Sequence, residues 1–173
     1  MKFPRIYFLH GKGGSPNGTV KFLKHAIVPL TDDGYIMIRP ELPHGQRGRN
    51  AEESVEFLHH LDIPFESLLI GVSLGGLVAA KLQEEGRPDL TVACISSPTW
   101  ADGVLLRQLV KNRIALYSAT DPVITGRTAN WPMLASKAYD LPWLTHDTDR
   151  HLDRLAPALA YFLNEGEFCF PSD

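Results

Sequence analysis

Cysteine is scarce: there are two, Cys94 and Cys169, in 173 residues. One lies in an apolar, strand-like run and the other near the C-terminus, so neither a disulfide framework nor a zinc pattern can be built, and both are expected to be free thiols. Long apolar runs are also missing. The longest, 68–72 and 77–80, fall far short of the roughly 20 residues that a membrane-spanning helix needs. There is no surplus of positive charge: the formal net charge is −3 and no basic stripe recurs, which excludes nucleic acid from the expected partners. No Pro/Ser/Gly-rich linker and no internal repeat divides the chain. A single domain over 1–173 is therefore expected, with 166–173 as a loose tail unless Phe168 and Phe170 anchor it. The opening Met1-Lys2-Phe3-Pro4-Arg5 lacks the apolar core of a signal peptide, which points to a cytoplasmic protein without a membrane span.

Composition is that of an ordinary globular protein. Hydrophobic residues make up 44% and charged residues 21%, enough apolar surface for a real core at this length. Short β-branched and aromatic runs alternate with helical patterns. Strands are expected over 5–9, 35–38, 67–71, 91–95 and 113–117, with a weaker edge strand over 139–144 that Pro142 interrupts. Helices are expected over 18–30, 50–61, 74–85, 102–110, 128–138 and 151–163, with Asn50 as an N-cap and Pro157 kinking the last helix or delaying its start. Such alternation implies a three-layer α/β/α sandwich around a mostly parallel six-stranded sheet.

The most telling stretch is Leu68-Leu69-Ile70-Gly71-Val72-Ser73-Leu74-Gly75-Gly76-Leu77. An apolar strand runs into a Gly-x-Ser-x-Gly turn and then a helix. A serine at such a tip has strained backbone angles, and side chains two residues to either side would collide. Gly71 and Gly75 remove that collision, while Gly76 lets the helix approach the sheet. The turn also sets Ser73 at the positive end of a helix, where N–H groups can meet a developing oxyanion.

This turn resembles the nucleophile elbow of the α/β-hydrolase superfamily. The stretch Leu9-His10-Gly11-Lys12-Gly13-Gly14-Ser15-Pro16, following the first strand, looks like the His-Gly oxyanion loop of small bacterial esterases in that superfamily. The likeness is to its smallest members, the lidless esterases and the retinoblastoma-binding-protein-like serine hydrolases, and it covers nearly the whole chain in element order. It implies a minimal α/β-hydrolase fold without a lid. By the same resemblance the backbone N–H groups of Lys12 and Leu74 form the oxyanion hole, and His10 organises its loop rather than acting as a base. The glycine-rich loop lacks the spacing of a phosphate-binding loop or a dinucleotide fingerprint.

A serine nucleophile needs a base oriented by an acid. Superfamily order is serine, acid, histidine. Asp121, after the strand 113–117 and followed by Pro122, matches the acid segment, and His151, immediately before the last helix, matches the base. His146 is the second candidate for the base and Asp102 the second for the acid. His25, His59 and His60 read as surface histidines without metal-ligand spacing. The loop 41–49, with His44, Arg47 and Arg49, follows the second strand at the sheet edge where α/β sites form, and together with Lys12 it is a candidate pocket rim. Trp100 is a candidate pocket wall, while Trp131 and Trp143 read as core.

With at most one short helix over 96–112 there is no cap, so the site should be open. The resulting expectation is a serine hydrolase that cleaves small carboxylic esters or thioesters through Ser73, His151 and Asp121, with no metal or organic cofactor. Its partner is a small acyl substrate, and the chain acts as a monomer or homodimer. The alternatives are a non-catalytic interaction protein on a hydrolase scaffold, or peptidase or acyltransferase chemistry through the same acyl-enzyme.

Overall fold

Residues 3–170 are described by a computed structural model. Four of the apolar runs become the central strands β1 (Ile6–Leu9), β3 (Leu68–Val72), β4 (Thr91–Ile95) and the longer β7 (Val110–Tyr117), buried on both faces except at Thr91 and at Lys111 and Asn112 near the start of β7. Two weaker strands, β2 (Met37–Ile38) and β8 (Ala135–Asp140), form the edges. The sheet order is β2-β1-β3-β4-β7-β8, and every neighbouring pair is parallel. The order reverses at β1, because β2 lies on one side of it and β3 on the other. A crevice therefore opens at the C-terminal ends of β1 and β3, where α/β proteins bind ligands.

Alternate side chains of each strand feed two cores. Ile6, Phe8, Ile70 and Val72 pack with α1 (Thr19–Ile27) and α5 (Leu152–Glu165). Tyr7, Leu9, Leu69 and Cys94 face α2 (Ala51–His60) and α3 (Leu74–Glu84) on the opposite side. The three-layer expectation holds. Asn50 caps α2 through a capping box: its side chain accepts from the Glu53 N–H, and the Glu53 carboxylate accepts from the Asn50 N–H. Both cysteines are free, Cys94 buried and Cys169 exposed. Among the described residues no helix is long and apolar enough to cross a membrane.

Three segments differ from the sequence reading. Residues 102–110 are not a helix: β5 (Trp100–Ala101) and β6 (Val104–Leu105) form a small antiparallel hairpin, turned by Asp102 and Gly103 with φ of 49° and 82°. Two positive φ values are what a two-residue type I′ hairpin turn demands, and Asp-Gly is its preferred pair. Residues 128–138 hold only the single helical turn α4 (Trp131–Leu134), after which Ala135 pairs with Val110 and β8 begins. Strand pairing overrides the weak helical tendency of Ala-Ser-Lys-Ala, so the edge strand lies four residues earlier than expected. Finally, α5 begins at Leu152 and continues past Pro157, so the proline does not delay its start. The tail up to Phe170 is anchored: Phe168 stacks on Phe162 at 4.6 Å, and Phe170 meets Tyr139 at 5.3 Å. Residues 171–173 of the expected tail lie outside the described residues.

One buried charge ties the α3 side together. The Arg113 side chain is fully buried on β7, and its guanidinium donates to the carbonyls of Gln108, Leu134 and Ala80 and to Gln83 Oε1. Glu84 lies 3.5 Å away. Gln83 in turn donates to the carbonyls of Leu90 and Asn112. Removing the guanidinium strands several buried acceptors at once. Arg113→Ala should therefore cost about 3–5 kcal/mol and lower Tm by roughly 10 °C. The exposed Arg107→Ala should be nearly neutral. Calorimetry that finds the two variants equally stable would refute this role.

Candidate active site

Strand β3 ends at Val72 and the chain turns at once into α3. Ser73 occupies the turn with φ 53° and ψ −121°, a region that residues with a Cβ avoid. Its N–H donates to the Ile95 carbonyl at 2.8 Å, and its carbonyl accepts from the Gly76 N–H at 3.1 Å. The flanking glycines are required by space. A Cβ on Gly71 would lie 2.3 Å from Gly76 N, and one on Gly75 would lie 2.2 Å from the Leu9 carbonyl oxygen. Helix α3 thus starts in contact with the ends of both β3 and β1. Ser73 is left partly exposed at the wall of a cavity of about 550 Å³.

The loop after β8 brings His146 to this serine. Ser73 Oγ is 3.0 Å from His146 Nε2, and His146 Nδ1 is 2.9 Å from Asp121 Oδ2. Asp121 is buried in the loop after β7, and its Oδ1 accepts the Val123 N–H at 2.9 Å. A carboxylate can only accept, so the Nδ1 proton of His146 points at Asp121 and its Nε2 lone pair faces the serine hydroxyl. Ser73 and Asp121 are brought together as expected from the sequence.

The expected partner His151 is not brought to Ser73. Its Nε2 accepts from both the N–H and the hydroxyl of Thr145, at 3.2 and 2.7 Å, and its ring packs 5.6 Å from Trp143. Because β8 ends at Asp140, the connecting loop is reached earlier than the sequence reading assumed. A 3-10 turn, Thr148–His151, then winds His151 into the approach to α5. The result is that His151 holds the backbone beside His146 instead of reaching the serine. Ser96 Oγ adds a bond to the Thr145 carbonyl at 3.3 Å. Asp102, the second candidate acid, is paired with Lys12 at 2.9 Å.

The loop after β1 crosses close to the serine: a Cβ on Gly11 would sit 3.4 Å from Ser73 Cβ. Lys12 and Leu74 both line the cavity, and among the described residues neither backbone N–H donates a hydrogen bond within the protein. Two buried histidines shape this loop. The Leu42 N–H donates to His10 Nε2 at 2.9 Å, which leaves the His10 proton on Nδ1, bonded to the Gly11 carbonyl at 2.9 Å. His44 Nε2 donates to the His10 carbonyl at 2.7 Å, and the Ser54 hydroxyl donates to His44 Nδ1 at 2.7 Å. His44 also accepts the Gly13 N–H on its carbonyl. The segment 41–49 therefore supports the loop from beneath and does not line the cavity. Arg49 pairs with Glu53, so the proposed basic rim from Arg47 and Arg49 is absent. Sequence reading missed Arg127, which does border the cavity.

The solved structures that this chain resembles share its architecture. An alpha/beta superfamily protein from Xanthomonas campestris pv. campestris is 16% identical, with 92% of this chain and 98% of that chain covered at a TM-score of 0.65. Mouse alpha/beta hydrolase domain-containing protein 10 is 13% identical, covering 92% and 90% at 0.68. Est1E from Butyrivibrio proteoclasticus, with ferulic acid bound, is 14% identical, covering 94% and 88% at 0.65. This chain has the α/β-hydrolase fold. No family model and no curated protein matches it by sequence. Between β4 and β7, this α/β-hydrolase fold carries only the short β5–β6 hairpin, which matches the expectation of an uncapped site.

Burial pushes the His44 imidazole down to about 4, and it lowers His10 as well. The unfolded chain would bind a proton at His44 near pH 6.5, which the folded chain refuses until about pH 4. Across that window the unfolded state holds more protons, so stability falls as pH falls. His44 should thus contribute about 3 kcal/mol of acid destabilisation between neutral pH and pH ~4, seen as a falling urea midpoint. A His44 ring that titrates by NMR at the value of a free histidine would contradict this account.

Proposed function

We propose that the protein is a serine hydrolase that cleaves small carboxylic esters or thioesters through an acyl-enzyme. One observation carries the reading: a serine held at a strained strand–helix turn is hydrogen-bonded to His146, which is itself hydrogen-bonded to the buried Asp121. In this reading Ser73 Oγ attacks the substrate carbonyl carbon while His146 Nε2 takes the hydroxyl proton. Asp121 keeps His146 in the required tautomer and stabilises the imidazolium. The N–H groups of Lys12 and Leu74 receive the oxyanion, assisted by the N-terminal end of α3. Collapse breaks the bond to the alcohol or thiol, which takes the proton back from His146. Water, deprotonated by the same histidine, then frees the acid from Ser73. His151 acts as a positioning residue for the His146 loop. The open cavity and the short hairpin in place of a cap favour small or end-on substrates, and the fold's hydrolase neighbours are consistent with this class.

A fluorophosphonate probe tests the assignment directly. Labelling should vanish in Ser73→Ala and slow about 100-fold or more in His146→Ala, the usual range for loss of a general base. His151→Ala should slow it far less. Labelling that survives His146→Ala but is lost in His151→Ala would return the base to His151, and labelling independent of Ser73 would sink the hydrolase reading. Only a neutral His146 ring can accept the proton from Ser73, so loss of the ring should cost more than loss of the neighbouring His151 side chain.

A further inference from the structure

Outside the Ser73–His146–Asp121 chain, three charged side chains border the cavity: Lys12, Asp102 and Arg127. Lys12 and Asp102 face each other at 2.9 Å and neutralise one another. Arg127 has no carboxylate partner among the described residues. Its guanidinium lies over the Trp100 ring, 5.3 Å from the centroid, and uses one donor on the Val123 carbonyl at 3.0 Å. Its backbone is pinned on both sides. The N–H donates to the Ile124 carbonyl at 3.0 Å, and the carbonyl accepts from the Thr99 N–H and hydroxyl at 2.7 and 2.9 Å. The same loop is fixed to Asp121 through the Val123 N–H. An arginine held this way loses little freedom when its remaining donors meet a ligand.

We infer that Arg127 binds a carboxylate on the substrate, so that the preferred esters or thioesters carry a free acid on the acyl or the alcohol part. The inference rests on the hydrolase reading for the ester bond, though not for the anion site itself. A guanidinium fork matches one carboxylate in bidentate fashion. A phosphate dianion would call on further cations, and the neighbouring one, Lys12, is held by Asp102. Because the site is open and uncapped, a fixed charge at its border is the strongest discriminating contact it offers.

The test compares kcat/KM for two matched ester pairs. Mono-para-nitrophenyl glutarate against para-nitrophenyl valerate probes an acid on the acyl side. Para-carboxyphenyl acetate against phenyl acetate probes one on the alcohol side. Within each pair the ratio of anionic to neutral substrate is internal to one preparation, so partial unfolding of a variant cancels. Arg127→Gln should lower that ratio about tenfold in at least one pair, the worth of one charge-assisted hydrogen bond. Asp102→Asn, which frees Lys12, should raise it. A ratio that Arg127→Gln leaves unchanged in both pairs overturns the proposal. If no ester is turned over and Ser73 takes no probe, the hydrolase reading falls, and glutarate binding to Ser73→Ala protein decides the anion site alone. Binding lost in Ser73→Ala/Arg127→Gln supports the site; equal binding in both proteins, or none in either, overturns it.

Discussion

The arrangement around Ser73 depends on one steric constraint: the first turn of α3 is pressed against the ends of two strands with no room for a side chain. Gly71 and Gly75 are the two points of contact, one against the helix start and one against the Leu9 carbonyl. Close approach sharpens the turn, and the sharp turn forces Ser73 into positive φ. That conformation costs on the order of 1–3 kcal/mol, and a fully paired β3 between β1 and β4 holds it in place. Strain, exposure of the hydroxyl and alignment with the helix N-terminus are therefore consequences of a single packing decision. A Cβ at Gly75 would push α3 off β1 and disturb all three together.

Most of the histidines around Ser73 support backbone and do not touch the serine. His146 contacts Ser73, yet three other histidines fix the backbone around it. His10 and His44 stack two layers of hydrogen bonds beneath the loop that carries Lys12, and each ring has both nitrogens committed. His151 clamps the segment leading to His146 through Thr145. An imidazole suits this work because one nitrogen donates and the other accepts, bridging a carbonyl and an N–H that cannot meet directly. Burial keeps His10 and His44 neutral, so they add no charge beneath the loop at neutral pH. The cost is sensitivity to acid, because unfolding releases both rings to bind protons.

Sequence reading recovered features whose cause is local. The strand–Gly-x-Ser-x-Gly–helix turn, the Asn50 capping box and the apolar parallel strands each declare themselves within a dozen residues. It failed where geometry is set at a distance. The choice between His146 and His151 turns on where β8 ends, and β8 exists because Ala135–Asp140 pairs with β7, not because its residues favour strands. The buried role of Arg113 was not legible, since its acceptors on α3 and near α4 are up to 33 residues away. The β5–β6 hairpin was legible in principle: Asp102-Gly103 is a strong type I′ signal, and helical spacing over 102–110 obscured it.

Where a capped hydrolase would enclose its substrate, this chain sets only a two-stranded hairpin beside the cavity. Enclosure removes water and strengthens every polar contact inside. An open cavity lacks that gain, so the contacts that distinguish one substrate from another must be strong enough to act in water. Apolar contact with Val123 and Ile124 offers little discrimination between acyl groups. On the proposed reading a guanidinium set over an indole and tied at its backbone is different, because much of its ordering precedes binding. The loop that orders it also carries Asp121. On the proposed reading, selectivity and the orientation of His146 share this one hydrogen-bonded segment, and a change that loosens it would be felt in both.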